Sequence, residues 1–422
     1  MPHNLPVPTA TAAPAFDAVS EIAKQNAGRD VRVLPRKYRD MAASPFAFFR
    51  ATAHLFYHHA LAGGLPASPA AWICGDMHVE NFGVYRGNNR LEYFDINDFD
   101  ESCLGPLAAD ISRLAASIIL ASEAIGLEAL TQDSLALTAL EAYFSALKDG
   151  KARWCEHKTS TGAIKALFKQ IKSRKRKAFL NSRSITVKNL RKLAVDGERY
   201  LPLNRDDEKP AAIVKIFAAL PAPAPHYYDL RDMAFRVAGL GSLGLRRYAV
   251  LMHGRGDPDR NALFDVKATA PSAAAQLMPQ RQPKWPTEAA RIVTLQTRLQ
   301  AVSAAKLHAA RISRRDYVVR ALQPSEDRLN LSVLVKNREK HIESLAESFA
   351  QMGKMAAWAH LRGAAREGAD GPDVMIRFAA KADASLWLNS AKALKSANDV
   401  DYIAFKQAYA ATDPRLTGTL RR

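Results

Sequence analysis

Between Trp72 and Asp110 the chain reads WICGDMHVENFGVYRGNNRLEYFDINDFDESCLGPLAAD. No other stretch limits the fold as much. It crowds Asp76, His78, Asn81, Asp95, Asp98, Asp100 and Asp110 between short apolar runs, WIC, FGVYR and LEYF. Runs of this length, bounded by glycine and asparagine, predict strands. Gly87, Asn88 and Asn89 predict the turn of a hairpin. Carboxylates and an amide at strand ends sit on a rigid frame that can converge them. Hard oxygen donors so held suit Mg²⁺, which takes one or two carboxylates and leaves room for phosphate oxygens.

A glycine cluster follows far downstream, Gly239-Leu240-Gly241-Ser242-Leu243-Gly244. A dinucleotide site needs a strand before such a loop and a helix after it. Here RRYAVLM, a Gly/Asp/Pro/Asn turn and ALFDVKA come next, which predicts strand–turn–strand. The helix N-terminus that would hold a pyrophosphate is missing. The loop is expected instead to cap a hairpin over the phosphates of ATP, with Lys267 on the next strand reaching them. Glu288 is the only acid of the helix expected from about residue 287. It is the candidate partner of Lys267, although a first-turn acid also serves the helix dipole. RDYVVRALQPS predicts a strand running into a linker, placed where the hinge of a protein kinase would hold adenine.

Around these two stretches the pattern is helical. Helices are expected at about 16–26, from Ser44 to Gly63-Gly64, and at 107–125, 131–148, 161–180, 342–365 and 384–411. Residues 1–15 are rich in Pro and Ala and are expected to be disordered. Five prolines in 201–228 read as a boundary. His54, His58 and His59 lack the glutamate of a zinc-protease pattern and are not read as ligands.

At 422 residues the chain has room for a large core and more than one lobe. Its longest apolar runs are too short to cross a bilayer, so no membrane association is expected. The N-terminus shows no basic region followed by an apolar block, and Cys74, Cys103 and Cys155 show no metal spacing; a cytoplasmic protein is expected. Net charge is +18. Residues 165–192 carry eleven lysines and arginines and no acid, which suggests a solvated face or a patch for an anionic substrate or nucleic acid. A single aromatic there, Phe179, weakens a base-stacking role.

The motif Gly75-Asp76-Met77-His78-Val79-Glu80-Asn81, the hairpin, the strand-end Asp95 or Asp98, Gly105-Pro106 and Asp110 together resemble the catalytic segment of the protein-kinase-like superfamily, especially its aminoglycoside-phosphotransferase-like branch. The whole chain also resembles a bacterial family of unknown function marked by CGDxHxxNFG followed by NDFDE. The resemblance implies an α+β, two-lobed protein-kinase-like fold. It also implies a permuted order, because the catalytic segment precedes the glycine loop. The catalytic part is then expected over 16–205, the nucleotide-binding part over 228–335, and helices of 336–422 are expected to pack on the catalytic part.

The resemblance further implies an ATP/Mg²⁺-dependent phosphotransferase acting on a small-molecule or protein acceptor. Asp76 would orient the acceptor proton and His78 would position its loop. Asn81 and the strand-end aspartate would bind metal. Separation from Asp76 favours Asp95 for that role; separation from Asp110 favours Asp98 and makes Asp98-Phe99-Asp100 a DFG-like triplet, so Asp98 is preferred, with Asp95 kept and both able to bind metal. Gly239, Gly241, Ser242, Gly244, Lys267 and Glu288 would form the nucleotide site, and Asp110 would fix the catalytic loop. Adenylyl transfer, a catalytically silent ATP-binding scaffold and nucleic-acid binding through 165–192 stay open. A metallophosphoesterase does not fit, since it needs an ordered series of further histidines and His360 is the only one after His341.

Overall fold

The computed structural model describes residues 16–323, 327–329 and 338–418. The expected disordered segment 1–15 and most of the linker expected after Ala321 lie outside them. The fold is α+β.

Helices α1 (Ala18–Asn26), α2 (Leu34–Ala42), α3 (Pro45–Ala51) and α4 (Ala53–His59) come first. Asp17 and Ser44 cap α1 and α3 by accepting from Val19 and Ala47 backbone N–H groups. The single helix expected from Ser44 to Gly64 is broken at Thr52, whose backbone leaves the helical region (φ −127°, ψ 45°). Its hydroxyl donates back to the Phe48 carbonyl, a local bond that competes with helix continuation.

Strands β1 (Ala70–Ile73), β2 (Phe82–Arg86), β3 (Glu92–Ile96) and β4 (Cys103–Pro106) carry the acidic stretch. β2 and β3 form the expected hairpin, with Val84 opposite Phe94. β1 pairs antiparallel with β4, Ile73 opposite Cys103. That pairing ties the two ends of the acidic stretch together, so the loop after β1 faces the loop before β4.

Helices α5 (Leu107–Ala124), α6 (Ala129–Asp149), α7 (Gly162–Ser173) and α8 (Arg176–Asn181) follow. α5 is buried on nearly all sides, as its apolar run predicts. Each leucine or isoleucine it buries contributes roughly 1.5–3 kcal/mol. The helix expected over 161–180 is two helices, because Arg174 turns to extended backbone (ψ 110°) and pairs with Asp327 at 2.6 Å.

Next come β5 (Ser184–Val187), β6 (Leu190–Leu193), β7 (Tyr200–Leu201), α9 (Pro210–Ala218), β8 (Leu230–Arg236), β9 (Arg247–Met252), β10 (Ala262–Ala268), α10 (Ala273–Leu277), α11 (Glu288–Leu299), β11 (His308–Ile312) and β12 (Arg315–Ala321). The curled antiparallel sheet runs β11-β12-β10-β9-β8-β7. It takes in β7, and Leu193 of the hairpin β5–β6 and Leu180 of α8 pack on it beside Tyr200 of β7. The sheet part therefore starts well before residue 228, where the proline count had set its edge. Helices α12 (Arg338–Gly363), α13 (Pro372–Ala379), α14 (Ala384–Ala410) and α15 (Pro414–Gly418) close the chain.

The largest core joins α5, α6, α12 and the acidic-stretch strands. A second lies on one face of the sheet and includes Phe264 and Val266 of β10. Strand alternation turns Leu263, Asp265 and Lys267 to the other face. α11 follows β10 in sequence, yet Ala289, Ile292, Leu295 and Leu299 bury it in the helical core. α1 and α2 rest on α14 through Tyr38, Tyr402 and Phe405. Among the described residues no helix is long and apolar enough to cross a membrane.

Candidate functional site

A cleft with about 900 Å³ of open space, solvent at its mouth included, lies where the glycine loop meets the acidic stretch. Asp76, His78, Asn81, Asp98, Asp100 and Glu101 line one side; Gly239, Gly241 and Ser242 line the other.

The floor is locked from below. Asp110 of α5 accepts from the backbone N–H groups of Cys74 (2.8 Å) and Gly75 (2.9 Å). His360 backs Asp110 at 3.3 Å, and its other ring nitrogen meets the Tyr143 hydroxyl at 2.8 Å. Tyr57 donates to the Gly75 carbonyl at 2.6 Å. Asp110 thus fixes the loop, as its position after Gly105-Pro106 suggested. Gly75 has φ +80°, and a Cβ there would stand 2.1 Å from the Glu101 carbonyl oxygen. Gly75→Ala is expected to cost about 2 kcal/mol or more, from left-handed strain plus a backbone clash, read as a lower midpoint in chemical denaturation.

Asp76 is held by one fully buried cation. Nε and Nη2 of Arg113 both donate to its Oδ1, at 2.8 and 2.6 Å. Burial pushes the Asp76 carboxyl above its ordinary value; Arg113 opposes this and neighbouring Asp98 adds to it. His78 Nε2 stands 3.8 Å from Asp76 Oδ2, while Nδ1 is buried with no partner among the described residues. Burial, with Arg50 and Arg113 nearby, holds the imidazole neutral. Asn81 Nδ2 donates to the carbonyls of Asp76 (2.9 Å) and Asp98 (3.3 Å), joining the two acidic loops and sparing its Oδ1.

Lys267 crosses to the floor. Its ammonium lies 3.5 Å from Asp98 Oδ2 and also pairs with Asp100. Burial opposes ionisation of Asp98, but Lys267, Arg320 and Arg328 outweigh it and hold the carboxyl low. Asp100 is pushed up by burial and by Asp98. Glu101 is turned aside: it caps α10 by accepting from Ser272 Oγ and Ala274 N–H, each at 3.1 Å.

Two sequence candidates stand elsewhere. Asp95 faces away from the cleft; it accepts from Ile96 N–H (2.9 Å) and Ala301 N–H (3.0 Å) and meets Arg362 at 3.5 Å. Asp98 is the aspartate of the pair that reaches the cleft. Glu288 pairs with Arg291 at 2.8 Å and does not pair with Lys267, because α11 is bound into the helical core. Arg291 in turn donates to the Asp100 carbonyl at 2.7 Å, so Glu288 acts on the acidic loop through an arginine.

The roof is anchored by residues that sequence reasoning passed over. Arg29 Nη1 donates to the carbonyls of Gly241 (2.7 Å) and Leu243 (2.8 Å); Lys37 Nζ donates to Gly241 at 3.0 Å. Gly239 (φ +80°) and Gly244 (φ +95°) supply the left-handed turns, and a Cβ on Gly244 would lie 2.7 Å from Arg29 Cβ. No motif marks Arg29 or Lys37. Arg113 did carry a signal: it is the lone cation in the apolar run of α5, one turn after Asp110.

The donor chemistry fits Mg²⁺. Asn81 and Asp98 offer an amide oxygen and a low-pKa carboxylate, and an ammonium already rests between Asp98 and Asp100. Among the described residues no three His, Cys, Asp or Glu side chains converge on one point. Mg²⁺ needs no such group, since it keeps several waters and binds substrate phosphates. In the basic segment Arg174 pairs with Asp327, and Lys177 (2.9 Å) and Arg191 (3.0 Å) with Asp259. Lys165, Lys169 and Lys172 stay exposed on α7.

The profile of a bacterial family, described as "Uncharacterized protein conserved in bacteria (DUF2252)", matches residues 29–408. The chain belongs to that family. No curated protein and no solved structure matched.

Proposed function

We propose that this protein is an ATP/Mg²⁺-dependent phosphotransferase with a permuted protein-kinase-like fold, acting on a hydroxyl or amine of a small molecule or protein. The observation that carries the reading is the meeting of Lys267 with Asp98 and Asp100 across the cleft, between residues far apart in sequence. The sheet adds support. The glycine loop joins β8 to β9, the lysine sits on the third strand β10, and β12 lies beside β10. Protein kinases likewise cover the triphosphate with a glycine loop and reach it with a lysine on the third strand.

In this reading each residue has a task. Main-chain groups of Gly239–Ser242 cover the phosphates. Lys267 leaves the acidic pair to contact them. Asp76 Oδ2, the oxygen not bound by Arg113, orients the acceptor and takes its proton. Neutral His78 lines the floor beside it. Asn81 and Asp98 would hold Mg²⁺, which when bound neutralises charge on the triphosphate.

Calorimetry with ATP in the presence and absence of Mg²⁺ tests this. Binding should require Mg²⁺ for full affinity and should weaken about tenfold or more in Lys267→Met, which removes a charged contact to phosphate. No binding of ATP under either condition would end the proposal. Binding that raises the melting temperature without any turnover would point to a silent module. Transfer of AMP in place of phosphate, read by mass spectrometry of the acceptor, would move the chemistry to the α-phosphate.

A further inference from the structure

A second cavity lies behind the cleft, between the hairpin β2–β3, the start of β10, the end of β12 and helices α7 and α8. It has about 1380 Å³ of open space, solvent at its mouth included, and is larger than the cleft. Asp327 lines it while the next residue, Arg328, lines the cleft, so one short segment separates the two. Its walls are mainly apolar: Val84, Ile171, Phe179, Tyr227, Leu263 and Leu322. Phe179 and Tyr227 are half-buried, so each offers part of a ring to the cavity.

The polar groups at its edge do not balance. Arg174 pairs with Asp327 at 2.6 Å and Arg86 with Glu92 at 3.7 Å. Arg176 and Lys306 have no acidic partner among the described residues. Arg176 donates to the carbonyls of Arg260 and Asn261. Lys306 donates to the Tyr228 hydroxyl at 3.2 Å and lies 5.8 Å from the ring centres of Tyr227 and Tyr228. Asn261 adds a third polar feature. It is 1% exposed, and its Nδ2 is bound by the Met252 and His253 carbonyls and by Asp257. Its Oδ1 is buried with no partner among the described residues. An apolar chamber with a few convergent polar groups is the usual form of a small-molecule site.

We propose that this cavity binds a flat aromatic anion, its ring between Phe179 and Tyr227 and its carboxylate or phosphate on Arg176 and Lys306. Asn261 Oδ1 would accept from a ring hydroxyl or N–H. The cavity touches the start of the linker expected to hold adenine, through Ala321, Leu322 and Gln323, but its assignment does not rest on the phosphotransfer reading.

Three probes of one shape test it by calorimetry at fixed ionic strength: 1-naphthoate, 1-naphthyl phosphate and neutral 1-naphthol. The two anions should bind saturably with one site, and naphthol roughly tenfold or more weaker, the worth of a charged hydrogen bond. The ratio of the two anions tells a carboxylate ligand from a phosphate one. Arg176→Ala and Lys306→Ala, both at the rim, should each erase most of that preference while the far-ultraviolet spectrum stays native. Lys267→Met should leave it unchanged, which separates this cavity from the cleft. Equal binding of naphthol and naphthoate, absence of saturable binding, or full affinity in the Arg176→Ala/Lys306→Ala double variant would each overturn the assignment.

Discussion

Asp76→Asn is expected to slow transfer by about 10²–10⁴-fold, the usual worth of a positioned general base, with binding of ATP and Mg²⁺ retained. The geometry sets that expectation. Arg113 takes Oδ1 and leaves Oδ2 toward the cleft. The base must be ionised to accept a proton. Its pKa is raised above the ordinary aspartate value of 3.8, by burial first and by Asp98 as well. Below the folded-state pKa the carboxyl is protonated and transfer falls. The acid limb of the pH–rate profile should therefore lie at higher pH than for a free aspartate, and it should vanish in Asp76→Asn. The substitution also neutralises the carboxylate partner of a buried guanidinium, so the rate must be compared at temperatures where calorimetry shows the variant folded. Unchanged turnover in folded Asp76→Asn would remove this residue from the chemistry.

Asp265→Ala is expected to destabilise the sheet by about 3–5 kcal/mol, measured as a loss in urea unfolding. Asp265 is 1% exposed and is gripped by Arg247 through two hydrogen bonds at 2.6 and 2.8 Å, by Arg236 at 2.8 Å and by Arg320 at 3.6 Å. Removing the carboxylate strands three buried guanidinium groups around an empty centre. Burial opposes ionisation here, yet Arg236, Arg247 and Arg320 together hold the carboxyl well below its ordinary value. A depressed folded pKa contributes stability above the unfolded value, and that part is lost as pH falls toward the folded one. Acid should thus unfold the natural chain through this group, and the Asp265→Ala variant should show a shallower acid dependence. A variant as stable as the natural chain at neutral pH would mean the three arginines find other anions.

The acidic stretch was legible because its signals are local. Turn glycines and asparagines, short apolar runs and a Gly-Pro before a helix read directly off the chain, and the hairpin β2–β3 and helix α5 appear where they were expected. The preference for Asp98 over Asp95 was weakly legible, since two spacing arguments pointed to different residues. Tertiary contact separates the two: Ala301 N–H and Arg362, both distant in sequence, draw Asp95 away from the cleft that Asp98 lines. The same holds for Glu288, whose helix belongs to the other core. β5–β6 and β7 were missed because a two-residue strand and a basic hairpin carry little apolar alternation, and only the sheet gives them a register. Arg29 and Lys37 act through backbone carbonyls of the glycine loop, and a carbonyl leaves no mark in a sequence.

That last contact bears on how the cleft opens. With Gly241 tethered by Arg29, in the turn after α1, and by Lys37 of α2, the covering loop is pinned at one corner to the N-terminal segment that rests on α14. Loosening that corner means breaking buried charged hydrogen bonds to main-chain oxygens, so the strands on either side of the loop share the footing of the N-terminal segment.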